Sequence, residues 1–165
     1  MKIKRLMSLG SAVLVSLSSL LVINLGHAFA ATKTWTGTAG DHKFSTGGNW
    51  TGGVAPSSGD ALVFNGTGVT DIVPNNDMVG ASFASIAFQG LDTSFTISGN
   101  SFTLTGGITD TTTCDMQCSL NVIASPVVIS GSQSIASSGN GILISGAVSG
   151  SGNITKTGTG YLYLE

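Results

Sequence analysis

Apolar residues recur along this chain in short bursts with a period of two, and glycine ends most of the bursts. Ile86 and Phe88 precede Gly90, Phe95 and Ile97 precede Gly99, and Phe102 and Leu104 precede Gly106. Val127 and Ile129 precede Gly131, Ile135 follows, and Ile142, Ile144, Val148, Ile154, Leu162 and Leu164 continue the pattern among glycines at 146, 150, 152, 158 and 160. Each burst is too short for a helix, and alternation of this kind turns one face of a strand inward. Strands that restart every seven to nine residues cannot be the hairpins of an ordinary sandwich. They suit a solenoid in which three short strands and three corners make one turn of about 20 to 25 residues, with about six turns stacked ~4.8 Å apart. Phe95, Ile97, Phe102 and Leu104 are then expected to line a dry interior. Lys156 shares parity with Ile154, so either a corner at Thr155 turns it outward, the preferred reading, or its ammonium snorkels out past the sheet rim.

The stretch before this periodic region reads differently. Thr32 to Phe64 holds both tryptophans, Trp35 and Trp50, together with Pro56 and few clean strands before Ala61-Leu62-Val63-Phe64. The run from Gly47 to Asp60 is turn chemistry throughout. A coil of strands leaves an apolar end with unpaired backbone groups, and a cover is needed there. Residues 31–70 are expected to be that N-terminal cap or lead-in, with Trp35 and Trp50 as its buried plugs, and 71–165 to be the rungs. Glycine, serine, threonine and asparagine form about half of the residues after position 30, a composition that favours turns and strands over helices.

The first thirty residues have the layout of a secretory signal: Lys2, Lys4 and Arg5, then an uncharged stretch from Leu6 to Gly26, then Ala28-Phe29-Ala30 as a small-residue cleavage site. Cleavage between Ala30 and Ala31 is expected, and export to the periplasm, cell surface or exterior follows from it. The rival reading is a membrane anchor, since the uncharged stretch approaches the roughly 20 residues that span a bilayer. Beyond residue 30 the chain keeps Lys33, Lys43 and Lys156 and no arginine, against seven aspartates and Glu165, so its net charge is −5 where the whole chain has −2. That balance speaks against nucleic acid and against anionic membrane surfaces as partners, leaving the signal as the membrane contact.

Candidate chemistry is sparse. Cys114 and Cys118 are the two cysteines; in an oxidising compartment they are expected to form a small-loop disulfide that stabilises the fold by about 2 kcal/mol. Trp35 and Trp50 double as a candidate sugar-stacking platform. Asp41-His42-Lys43 places an acid, a base and a cation together, yet nothing marks a serine as a nucleophile. Asp71, Asn75, Asn76 and Asp77 carry oxygen ligands, but their spacing matches no calcium loop. Carboxylates are scattered, and no arginine lies beyond residue 30 to hold acidic sugars, so a polysaccharide-active β-helix enzyme is the least favoured alternative, no catalytic residue, cofactor or metal is assigned and no enzyme activity is expected.

Two separated stretches carry a family likeness. Gly150-Ser151-Gly152, then Ile154-Thr155-Lys156-Thr157-Gly158-Thr159-Gly160, then Tyr161 to Leu164 closely resemble the autotransporter-associated β-strand repeat. Trp35, Gly48-Asn49-Trp50, Gly52-Gly53, Pro56, Gly59-Asp60 and Phe64 are similar to the lead-in found before such repeats. The resemblance implies a right-handed parallel β-helix displayed on a Gram-negative-type cell as part of an adhesin-like passenger, with host-surface or glycan contacts as partners. Such passengers carry more repeats and often a translocator barrel. The rungs here are therefore expected to be incomplete at the C-terminus, with further repeats or a translocator missing.

Overall fold

A computed structural model describes residues 30–115 and 119–165 of the chain. The expected signal segment falls outside the described residues except for Ala30. Cys118 does too, and with it the expected Cys114–Cys118 bridge.

The chain winds as an all-β solenoid of about four turns. A lead-in strand β1 (Thr32–Trp35) comes first, followed by a 3₁₀ turn at Gly47–Asn49. The first turn is β2 (Ala61–Asn65), β3 (Asn75–Asn76) and β4 (Ala81–Phe83). The second is β5 (Ser85–Gln89), β6 (Thr96–Gly99) and β7 (Phe102–Leu104). The third is β8 (Ile108–Asp110), β9 (Asn121–Ile123) and β10 (Val127–Ile129), and the fourth β11 (Gln133–Ser137), β12 (Ile142–Ile144) and β13 (Val148–Gly150). A partial lap closes the described chain with β14 (Ile154–Thr157) and β15 (Leu162–Leu164).

Three parallel sheets result, in the orders β1-β2-β5-β8-β11-β14, β4-β7-β10-β13 and β3-β6-β9-β12-β15. Along the first sheet, Ala61 lies beside Ser85, Ile86 beside Ile108, Ile108 beside Ile135 and Gln133 beside Ile154, giving offsets of 24, 22, 27 and 21 residues. The longest offset contains the segment between β8 and β9, where the cysteines lie. Four turns form where about six were expected, because the residues before Ala61 supply a cover and a single strand instead of rungs. β1 and β2 nonetheless belong to the same sheet as the later rungs, so the lead-in and the periodic region share one ladder.

Burial follows the alternation. Phe95, Ile97, Phe102 and Leu104 are all buried, as expected. Inward positions stack in register from rung to rung, for example Ala81-Phe102-Val127-Val148 and Ile97-Ile123-Ile144-Leu164. Corners close because glycine takes a left-handed backbone there: Gly99 (φ 101°) and Gly150 (φ 108°) would each drive a Cβ into a carbonyl of the rung before.

At Lys156 the preferred of the two expectations fails. No corner forms at Thr155, and β14 runs straight through Lys156, which sits beside the buried Ile135 in the inward row. Its ammonium escapes by curling back to donate to the carbonyls of Thr157 and Gly158, each at 2.8 Å. A long alkyl stem makes that route available at a sheet rim. Among the described residues no helix is long and apolar enough to cross a membrane.

Candidate functional site

Most of the residues singled out in the sequence converge on the N-terminal end of the solenoid. There the chain between β1 and β2 folds across the first rung, and Trp50 forms an antiparallel bridge with Trp35. The two indoles meet edge to face at 5.1 Å, and Phe44 packs against both. Their N–H groups are satisfied inside the protein: Trp35 Nε1 donates to the carbonyl of Asp71 and Trp50 Nε1 to that of Phe44, each at 2.8 Å. Both rings are buried. They are plugs, and the sugar-stacking platform at Trp35 and Trp50 is corrected accordingly: neither indole presents a face to solvent.

A polar rim surrounds these plugs. His42 adopts a left-handed backbone (φ 63°), uncommon for a residue with a Cβ. Its carbonyl accepts from the Asn75 N–H at 2.6 Å, and Phe44 N–H donates to the Asn75 carbonyl at 2.9 Å, tying the cover to β3. His42 Nδ1 lies 2.7 Å from Asp71 Oδ2; the imidazole is 51 % exposed and the carboxylate only 5 %. The other Asp71 oxygen accepts from Val73 N–H at 2.9 Å. Asp77 accepts from both the hydroxyl and the N–H of Ser45. Burial alone would push the Asp77 carboxyl up, but the Ser45 hydroxyl, the Ser45 and Asp77 N–H groups and the Lys43 charge together hold it below its usual range. Asp41 is likewise held low, chiefly by the Thr46 hydroxyl and then by Lys43 N–H, with the Asn49 amide and the Lys43 charge adding to them against a small desolvation penalty.

The sequence triplet Asp41-His42-Lys43 therefore does not act as one group. Asp41 organises its own loop through Thr46 and Asn49, while His42 pairs with Asp71 from the next rung. Among the described residues no hydroxyl or thiol is hydrogen-bonded to the imidazole, so the His42–Asp71 pair has the first two members of a nucleophilic triad and no third. The set weighed as calcium ligands is dispersed as well. Asp71 and Asp77 hold the cover, Asn75 Nδ2 donates to Ser98 Oγ at 3.2 Å, and Asn76 Nδ2 to the Asn100 carbonyl at 2.8 Å.

Two features escaped the sequence reading. Asp110 is fully buried, with five donors on its carboxylate: Thr112 N–H and Oγ1, Asn121 Nδ2, Ser137 Oγ and Gly141 N–H, at 2.6 to 3.3 Å. Its signal was present, since Asp110 shares parity with the inward Ile108 just as Phe88 does with Ile86. The second feature is an outward aromatic pair on the last rung. Tyr161 and Tyr163 stack at 6.0 Å and are 64 % and 49 % exposed. Tyr163 continues the outer row Thr96-Val122-Leu143. Elsewhere the outer rows are small or hydroxylated: Thr34, Val63, Ala87, Thr109, Ala136 and Thr157 on one sheet, and Ser82, Thr103, Val128 and Ser149 on another. No family model, curated protein or solved structure matches the chain.

Proposed function

We propose that this chain is an exported structural module, a β-helical stalk of adhesin-like type that works by contact and not by turnover. The observation that carries the reading is the chemistry of the outer rows, which are uncharged and rich in threonine and serine along walls built from stacked parallel strands. Such walls are stiff, because each rung is hydrogen-bonded to the next, and they offer repeated weak contacts whose combined strength grows with their number. The polar groups at the capped end are engaged in holding the cover. In this reading the protein resembles passengers built from autotransporter-associated β-strand repeats, its partners are host-surface or glycan groups, and further repeats and a translocator complete the assembly.

The test is to express the chain with its first thirty residues in a Gram-negative host and to fractionate the cells. Recovery of a processed chain outside the inner membrane supports the reading, and recovery of the full-length chain in the cytoplasm overturns it. A second reading is favoured by the exposed Tyr161–Tyr163 pair: a glycan platform on the last rung, where flat rings can lie against sugar faces. Loss of a defined glycan-array signal in Tyr163→Ala separates it from contact along the Thr and Ser walls.

A further inference from the structure

The N–H of Ala31 donates to Oδ1 of Asp60 at 2.8 Å, and the Ala31 carbonyl accepts from Ala61 N–H at 2.8 Å. Ala31 is the residue that follows the small-residue cleavage site. Asp60 is 6 % exposed, and its other carboxylate oxygen accepts from Ser57 N–H at 2.9 Å. Among the described residues no lysine or histidine is paired with it. In the uncut chain this buried carboxylate thus has two neutral amide donors and no cation among the described residues, a costly state for a charge removed from water.

From this geometry we propose that Asp60 is a receptor for the α-amino group created when the Ala30–Ala31 peptide bond is cut. A signal peptidase adds water across that bond: Ala30 leaves as a carboxylate on the released segment, and Ala31 keeps the nitrogen as an amine. An α-amine has an ordinary pKa of about 7.7 to 8.0, so it takes a proton and is cationic at neutral pH. The same nitrogen that gave a neutral hydrogen bond then gives a charge-assisted one, roughly twice as strong. Processing therefore converts an unpaired buried carboxylate into an ion pair that pins β1 to the start of β2. The pairing depends on position. A chain starting one residue earlier keeps an amide at Ala31, and one starting one residue later lacks the nitrogen altogether. The proposal rests on the reading of the chain as exported, and it makes the solenoid most stable only after export.

Two measurements test it. The mass of the processed chain recovered from the fractionated cells should place its N-terminus at Ala31; a different N-terminus sinks the cleavage assignment, and the latch with it. Independently, the chain beginning at Ala31 is compared with the same chain acetylated on Ala31, each with Asp60 intact and with Asp60→Asn. The free-amine form should melt roughly 3 °C above the acetylated form, and Asp60→Asn should abolish that difference. The free α-amine should also acylate several-fold more slowly than in Asp60→Asn. Equal melting of the free and acetylated forms, or a difference that survives Asp60→Asn, overturns the latch while leaving export untouched.

Discussion

The first and last described rungs of this solenoid are built in opposite ways. At the N-terminal end the lumen is closed by rings: Trp35, Phe44 and Trp50 cover Phe64, and among the described residues every large buried aromatic side chain lies between Trp35 and Phe102. Past Phe102 the buried apolar side chains are aliphatic, and the stack Phe64-Phe88 is continued by Asp110 and then Ser137. At the far end Val148, Tyr163 and Leu164 are exposed, and β13, β14 and β15 have no neighbour on one side among the described residues. The inward row Leu62-Ile86-Ile108-Ile135 has a lysine at each end, Lys33 beside Leu62 and Lys156 beside Ile135. Rings fill the capped end of the described stack, whereas its last described rung carries a lysine in the inward row and exposed apolar residues.

The largest effects should come from the capped end. Trp35→Ala removes a fully buried indole that touches Phe44, Trp50 and Phe64 and also leaves the Asp71 carbonyl without its donor. It should cost about 3 to 5 kcal/mol in denaturant unfolding. Leu164→Ala, an inward position at the open end that is already 55 % exposed, should cost under about 1 kcal/mol. Similar costs for the two substitutions would erase the contrast between the ends.

Next in size is the polar interruption of the stack. Asp110→Ala leaves five donors facing a void and should cost about 3 kcal/mol or more. Asp110→Asn keeps the shape but brings two N–H donors into a pocket of donors, and it should recover only part of the loss. Full recovery in Asp110→Asn would mean that packing, and not the charge, is what this corner supplies.

A smaller effect, read as association instead of stability, is expected at the open end. Lys156→Ile completes the apolar row at the rim, and sedimentation should then show concentration-dependent dimers where the parent chain shows fewer. An unchanged distribution would mean that the lysine does not guard the edge.

How much of this contrast was legible beforehand depends on the range of the interactions. Alternation and glycine spacing are local, so the bursts from Ile86 to Leu164, the parallel coil and the inward Phe95, Ile97, Phe102 and Leu104 could be read directly. The plugging role of Trp35 and Trp50 could be inferred because an open coil end demands a cover. Contacts between rungs have no local signature. Nothing near His42 in sequence names Asp71, 29 residues away, and nothing near Asp110 names Ser137 or Gly141. For Lys156 the preferred corner was wrong for a related reason: its parity was clear, but a corner and a straight strand whose lysine stem curls outward leave the same local pattern. The count of turns failed because the lead-in and the rungs have similar Gly-rich composition while only one of them is periodic.

The smallest expected effect tests whether the cover can open independently of the rungs. The carboxyls of Asp41 and Asp77 are held below their ordinary value of 3.8 in the folded chain. A depressed folded pKa means that the unfolded state binds the proton first. The stability these groups contribute is then fully present above about pH 4 and is lost as the pH falls through the lower folded value. On acidification Trp35 and Trp50 should gain solvent, seen as a red shift in tryptophan emission, before far-UV circular dichroism reports loss of the strands. Asp77→Asn should shrink the acid-dependent part of that early shift, because the Ser45 contact then no longer depends on a titrating group. A single transition in which both signals move together, unaltered by Asp77→Asn, would mean that the rings and the rungs unfold as one unit.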